Sequence, residues 1–213
     1  MDGVEPISYT VETQTQMAEP HANQIVTTGL THFYFTFAEI DLTSFAIFVA
    51  NAEDEDRYAE FNKFQTSSLK TWIAIGGFDC SNPGPIPQYG FQGVDLDWEY
   101  PATPERGGQP ADTEYYVSFV KEMRAAFGGQ HGPGITLAPN YWYLRGVDAK
   151  AMEPHIEFFG FMPYDLHGFW DADIKTLGSI VRGQTDIREI YDDTLPLWFD
   201  ASEPSKMNFG LAL

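Results

Sequence analysis

The stretch Phe91–Pro101, FQGVDLDWEYP, decides the fold of this chain. Its carboxyl and apolar side chains alternate: the carboxyls are Asp95, Asp97 and Glu99, and the apolar side chains are Val94, Leu96 and Trp98. Because alternate side chains leave a β-strand on opposite faces, the pattern predicts a strand with its carboxyls in one row, about 6.6 Å apart. Three carboxylates on an enclosed face cannot all stay ionised at low cost. We therefore expect the pKa of at least one of them to rise.

A row of carboxyls with one raised pKa points to acid–base chemistry. A carboxylic acid that keeps its proton near neutral pH can protonate the leaving oxygen of a sugar. Taken from the strand alone, a solvated acidic face or a calcium site is the alternative, because perturbed carboxyls mark function only statistically.

Three ordered blocks resemble the family 18 glycoside hydrolases, the chitinases and their relatives. The quoted strand resembles the signature D-x-x-D-x-D-x-E, with Gln92 where the first Asp usually stands. LKTWIAIGGF, ending at Phe78, resembles the strand that precedes the signature, and FMPYDLHG, from Phe161 to Gly168, resembles the later M-x-Y-D block. YWYLRGVD and KMNFGLAL are similar to segments of fungal chitinases. The resemblance runs from about Leu30 to Leu213.

The resemblance implies an α/β fold, the (β/α)8 TIM barrel, in a single partial catalytic domain over residues 1–213. The alternation of strand and helix patterns along the chain agrees with a parallel sheet. Besides the signature strand we expect strands over Leu30–Asp41, Thr71–Gly77, Ile135–Asn140, Phe158–Asp165 and Met207–Leu213. We expect helices over Asp54–Gln65, after a cap at Asp112, and near Thr185–Tyr191.

Three parts of an eight-stranded barrel have no clear counterpart in the sequence. ISYTVET, residues 7–13, is the one candidate for the first strand, and Leu213 falls where the resemblance places strand seven, so strand eight is not expected. Before the signature strand, Phe78–Phe91 carries three closely spaced prolines, which exclude a helix. We therefore expect the outer face of the signature strand to lack its covering helix.

The resemblance also implies roles for individual residues. Glu99 is expected to protonate the glycosidic oxygen and then to activate water, while the 2-acetamido oxygen of the substrate attacks the anomeric carbon with retention. Asp97 is expected to hold the acetamido N–H, with Asp95 supporting Asp97 or, alternatively, acting only as a paired core acid. Tyr164 is expected to donate its hydroxyl to the acetamido oxygen, with a plain buried tyrosine as the alternative, and Asp165 to line the same subsite.

Aromatic residues outside these blocks are candidates for stacking on sugar rings. They are Trp142, Tyr143 and Trp170, for which core packing is the alternative. His155, Glu157 and His167 lack the spacing of metal ligands. We therefore predict no metal and no cofactor.

Composition restricts the partners. A net charge of −19 and a pI near 4.3 argue against nucleic acid or an anionic membrane surface as partner, and say little about uncharged chitin. Cys80 is the only cysteine, so no internal disulfide forms. The N-terminus lacks the pattern of a signal peptide, and no apolar run reaches the length of a membrane span. The resemblance nevertheless implies an extracellular protein.

The function implied by the resemblance is that of a chitinase, a glycosidase that cleaves β-1,4 bonds between N-acetylglucosamine units. One alternative is a non-catalytic chitin-binding relative, which the presence of Glu99 disfavours. Another is an inactive truncated fragment, which the missing barrel parts favour. An endo-β-N-acetylglucosaminidase that acts on glycoproteins shares the same mechanistic group.

Overall fold

A computed structural model describes residues 25–40, 47–49, 54–77, 90–174, 178, 180–198 and 202–211. The strands in these residues are β1 (His32–Ile40), β2 (Ile47–Val49), β3 (Lys70–Gly76), β4 (Gly93–Asp97), β5 (Gly132–Leu137), β6 (Phe158–Phe161) and β7 (Met207–Phe209). The helices are α1 (Asp54–Phe61), α2 (Asp112–Phe127), α3 (Tyr141–Leu144), α4 (Ala149–Met152) and α5 (Ile187–Trp198). Of the helices described, none has the length and apolar character to cross a membrane.

The strands form one sheet in the order β2-β1-β3-β4-β5-β6-β7. Every neighbouring pair is parallel except β1 and β2, which are antiparallel. Helices lie between β1 and β3, β4 and β5, β5 and β6, and β6 and β7, as the crossover of a βαβ unit requires. The predicted α/β fold with a parallel sheet is therefore confirmed. Within the described residues, β2 and β7 each pair with a single neighbour, so the sheet is open between them.

The predicted elements occur in the predicted order with shifted ends. Helix α1 ends at Phe61 and continues as a 3-10 turn, and α5 runs from Ile187 to Trp198, beyond the expected end. The short strand β2 was not predicted. The expected cap at Asp112 was wrong: Ala111 holds the cap position and makes no side-chain bond. The Asp112 carboxylate instead accepts the backbone N–H groups of Ala102, at 3.2 Å, and Gln109, at 2.6 Å.

The outer face of β4 is covered, contrary to the expectation of a bare strand. Val94 and Leu96 are each 2% exposed and belong to one apolar cluster with Tyr58 of α1 and Val120 of α2. The reason is geometric, because the helices that cross over neighbouring strands also shield β4. Of the segment Phe78–Phe91, where we expected no helix, only residues 90 and 91 are among the described residues. The first-strand candidate ISYTVET lies wholly outside them.

The inner face of the sheet carries a second, aromatic cluster formed by Tyr34, Trp72 and Phe158. The Trp72 ring stacks on Phe158, with centroids 4.9 Å apart and planes at 22°. A Cβ at Gly93 would lie 2.2 Å from Trp72 Cε2, so glycine on the neighbouring strand makes room for the indole. These rings fill the interior of the sheet next to the carboxyls of β4.

Candidate active site

The predicted site residues gather at one edge of the sheet. Asp95 and Asp97 lie within β4, and Glu99 follows two residues after its end. Trp142 and Tyr143 lie in α3 after β5, and Tyr164 and Asp165 follow β6. Because parallel strands end at a common edge, these segments share the carboxyl-terminal side, where sites of this architecture form. The structure thus places all seven predicted residues at or directly below one edge.

Asp95 is the deepest carboxyl of the site. It is 7% exposed, and the Thr136 hydroxyl donates to its Oδ2 atom over 2.5 Å. Its Oδ1 atom has no hydrogen-bond partner within the described part of the chain. Burial raises the pKa of Asp95 from 3.8 to about 6, and the Thr136 bond opposes that rise. The expected increase in a carboxyl pKa is therefore confirmed, and Asp95 can hold a proton close to neutral pH.

Asp97 lies at the end of β4, where the backbone is tied to β3. Its side chain is buried, with the residue 5% exposed, and its carbonyl accepts the N–H of Gly77 over 2.8 Å. A Cβ at Gly76 would lie 2.1 Å from the Asp97 carbonyl oxygen, so only glycine allows this approach of the two strands. The Gly-Gly pair therefore fixes the position of Asp97.

Tyr100 contacts the proposed acid and was missed by the sequence analysis. Burial, the charge of Glu99 and a hydrogen bond to Glu99 raise the pKa of Tyr100, so its hydroxyl stays protonated and can donate to that carboxylate. The Tyr100 ring stacks on Tyr143, with centroids 3.9 Å apart and planes at 15°. The Glu99 carbonyl accepts from Arg106 Nε over 3.1 Å. Tyr143 therefore holds the Tyr100 ring beside Glu99. The adjacency of Tyr100 to Glu99 in the sequence was the available signal.

Tyr164 follows the end of the sheet ladder. The last ladder donor is the N–H of Met162, which bonds the carbonyl of Leu137 over 3.0 Å. Pro163 comes next, so its missing N–H costs no ladder bond. The half-buried Tyr164 ring packs beside Gly210, where a Cβ would lie 3.0 Å from Tyr164 Cε1. Asp165 is exposed and has a left-handed backbone with φ of 56°, a conformation that is concentrated at functional sites.

The Trp142 ring is partly exposed and is held in place by two charged side chains. It is 49% exposed, and its indole N–H donates to the Glu105 carboxylate. The Arg145 guanidinium lies 3.6 Å from the ring centroid and covers one face. The hydrogen bond from Trp142 lowers the pKa of Glu105. This arrangement fixes the ring and supports stacking over core packing for Trp142.

His167 lies in the same loop as Tyr164 and makes two carboxylate contacts. Its Nδ1 lies 2.7 Å from Asp171 Oδ2, and its Nε2 lies 2.8 Å from Glu189 Oε2. Both ring nitrogens of His167 therefore lie within hydrogen-bond distance of a carboxylate. Among the described residues, no group of three or more His, Cys, Asp and Glu side chains is arranged to hold a metal ion.

Similar proteins are found both by sequence and by structure. The chain is 29% identical over 180 residues to "Probable chitinase LysM11" of Penicillium expansum, covering 70% of this chain and 16% of the relative. It is 26% identical over 194 residues to "Secreted chitinase LysM12" of the same fungus, covering 75% and 13%. The chain therefore spans less than a fifth of these relatives.

The fold is also that of a solved chitinase domain. The Group II chitinase catalytic domain 2 of Ostrinia furnacalis, solved as a mutant in complex with the N-acetylchito-oligosaccharide (NAG)5, matches with a TM-score of 0.70 at 21% identity. The match covers 85% of this chain and 56% of that one. Finally, the family model for glycosyl hydrolases family 18 matches residues 86–213, well over half of the chain. The chain therefore belongs to glycosyl hydrolases family 18.

Proposed function

We propose that this chain carries the catalytic centre of a chitinase-type glycosidase, which cleaves β-1,4 bonds between N-acetylglucosamine units with retention. The observation that carries the proposal is the series Asp95, Asp97 and Glu99, which runs from a buried acid with a pKa of about 6 to a half-buried acid at the sheet edge. The (NAG)5 complex of the structural relative supports an N-acetylated chito-oligosaccharide as ligand.

In the proposed first step, Glu99 protonates the glycosidic oxygen as the bond from that oxygen to the anomeric carbon breaks. The 2-acetamido oxygen of the substrate forms the new bond to the same carbon from the opposite face. In the second step Glu99 takes a proton from water as the water oxygen bonds to the anomeric carbon, and the bond from that carbon to the acetamido oxygen breaks. Two inversions at one carbon leave the configuration retained.

The neighbouring side chains serve the acetamido group. Asp97 accepts its N–H, which increases the negative charge on the attacking oxygen, and Tyr164 directs that oxygen with its hydroxyl. Asp95 can keep a proton near neutral pH and share it with Asp97 as charge develops. Asp165 and the open face of Trp142 contact the sugar, while Tyr143 holds Tyr100 against Glu99. No step requires a metal or another cofactor.

We further propose that residues 1–213 alone form a partial barrel. Six parallel strands and the antiparallel β2 are formed in the described residues, and the sheet is open between β7 and β2, whereas this type of barrel closes with eight strands. We also propose an extracellular location, supported by the relative named as a secreted chitinase.

The test of the function is Glu99→Gln in the natural polypeptide that contains these residues. The amide keeps the shape of the side chain but has no proton to donate, so turnover of a fluorogenic chito-oligosaccharide should fall by a factor on the order of 10² to 10⁴. Affinity for the uncleaved oligosaccharide should persist. The matched control is Glu122→Gln on the exposed side of α2, which should turn over like the wild type. Undiminished turnover by Glu99→Gln would contradict the assignment.

A further inference from the structure

The side chain of His167 is buried and has a carboxylate oxygen at each ring nitrogen. Its side chain is 5% exposed, and its contacts are 2.7 Å to Asp171 and 2.8 Å to Glu189. An ionised carboxylate can only accept a hydrogen bond, whereas a neutral imidazole offers one donor. Both contacts are satisfied together when the ring carries two protons. The geometry therefore favours the imidazolium.

The charged groups that face this ring are carboxylates from two segments. Asp171 comes from the 3-10 turn Phe169–Asp173, and its side chain is 6% exposed. Glu189 comes from α5 and is 40% exposed. Asp193, one helical turn further along α5, also interacts with the ring: burial and the charges of Glu189 and Asp192 raise the pKa of Asp193, and His167 opposes that rise. Burial favours the neutral ring, but the bonds to Glu189 and Asp171 outweigh it and raise the pKa of His167.

His167 therefore joins the loop after β6 to helix α5. The loop carries Tyr164, and a second tie runs nearby, from the N–H of Leu166 to the carbonyl of Gln184 over 3.1 Å. We propose that His167 is a positioning residue, an inference that rests on the proposed function. As an imidazolium it holds the loop segment that carries Tyr164 against α5. Its deprotonation releases Glu189.

The two carboxylates differ in what they lose when the ring becomes neutral. Asp171 is enclosed, and an unpaired buried carboxylate is strongly unfavourable, so the one remaining donor stays with Asp171. Glu189 is partly in water and can exchange its bond to His167 for bonds to solvent. The link between the loop and α5 is thus the one that breaks. A displacement of about 1 Å at a reacting group costs about a hundredfold in rate, so kcat should fall on the alkaline side of this titration while KM changes less.

The test begins with NMR titration of the histidine rings in the natural polypeptide. His167 should titrate above 6.5, the ordinary histidine pKa. Glu189→Gln should lower the pKa of His167, increase amide exchange over residues 163–173 and move the alkaline limb of kcat to lower pH. Asp192→Asn is the matched control, because it removes a carboxylate from α5 without removing a bond to the ring.

His167→Gln should lower kcat by about ten- to a hundredfold and abolish the part of the alkaline limb that belongs to this residue. Titration of His167 at or below 6.5, or a Glu189→Gln variant with unchanged exchange and pH profile, would overturn the proposal. The titration and exchange readouts do not depend on turnover. Failure here is therefore distinct from failure of the proposed function, which Glu99→Gln tests.

Discussion

Replacement of Asp95 by asparagine should stabilise the protein above pH 6 while it lowers activity. Asparagine has the shape of the protonated acid and cannot ionise. Its amide oxygen can accept the Thr136 hydroxyl, as Asp95 Oδ2 does over 2.5 Å. Its amide nitrogen takes the position of Oδ1, which has no partner in the described part of the chain, so neither side chain gains a bond there. The main difference between the two side chains is the charge.

The magnitude follows from the pKa. The pKa of Asp95 is about 6 in the folded protein, and we take its ordinary value, 3.8, for the unfolded chain. Between these pH values the native state therefore keeps a proton that the unfolded chain has lost. The free energy of unfolding therefore falls as the pH rises through this window. At about 1.4 kcal/mol per pH unit, the loss amounts to about 3 kcal/mol above pH 6. The Asp95→Asn variant has no such loss, so it should exceed the wild type by up to about 3 kcal/mol at about pH 8 and by little at about pH 4.

Urea unfolding at a series of pH values measures this difference in the natural polypeptide. The control is Glu122→Gln, an exposed carboxyl on α2, which should change the free energy of unfolding by less than about 0.5 kcal/mol at every pH. Turnover by the Asp95→Asn variant should fall, because an amide cannot exchange a proton with Asp97. A variant that is no more stable than the wild type at about pH 8, or that keeps the pH slope of the wild type, would refute the burial argument.

Two further predictions concern packing and the open sheet. Gly93→Ala places a Cβ 2.2 Å from the fully buried Trp72 ring and should destabilise the protein by about 1–3 kcal/mol in urea unfolding, whereas Gly183→Ala, with open space around it, should be near neutral. A polypeptide of residues 1–213 should show little chitinase activity and should associate in solution, because β2 and β7 each have an edge with no partner strand among the described residues, and such edges favour pairing. Activity like that of a complete relative, with a cooperative unfolding transition, would contradict this.

Local patterns were sufficient to predict the order of the elements and the raised pKa of a carboxyl in the site. The alternation in β4 identified both its faces, because a period of two is a property of the strand itself. The expected pKa increase followed from the same spacing and is found at Asp95. The helical spacing of five apolar residues likewise predicted the helix α2, which runs from Asp112 to Phe127; they are Tyr116, Phe119, Val120, Met123 and Phe127. Three of them are buried, and Phe119 and Phe127 are partly buried against the same core.

Contacts between distant segments could not be read from local patterns. Thr136 reaches Asp95 because the register sets Asp95 beside Gly134 and Leu96 beside Ile135, and nothing in either segment specifies that register. The cover over β4 was misjudged for a related reason, since the prediction counted only the helix expected directly before that strand. The contact of His167 with Glu189 likewise depends on where α5 lies.

The pKa of Asp95 is a consequence of packing beneath the site as much as of its own strand. A Cβ at Gly134 would lie 2.5 Å from Asp95 Oδ1 and 3.1 Å from the Trp72 ring, so both the carboxyl and the indole lie close to that glycine. Trp72 is fully buried and stacks on Phe158, so aromatic rings fill the interior on this side of the carboxyl. Desolvation is the main cause of the raised pKa, and these aromatic rings maintain it. Side chains that never meet the substrate therefore set the protonation state on which the proposed chemistry depends.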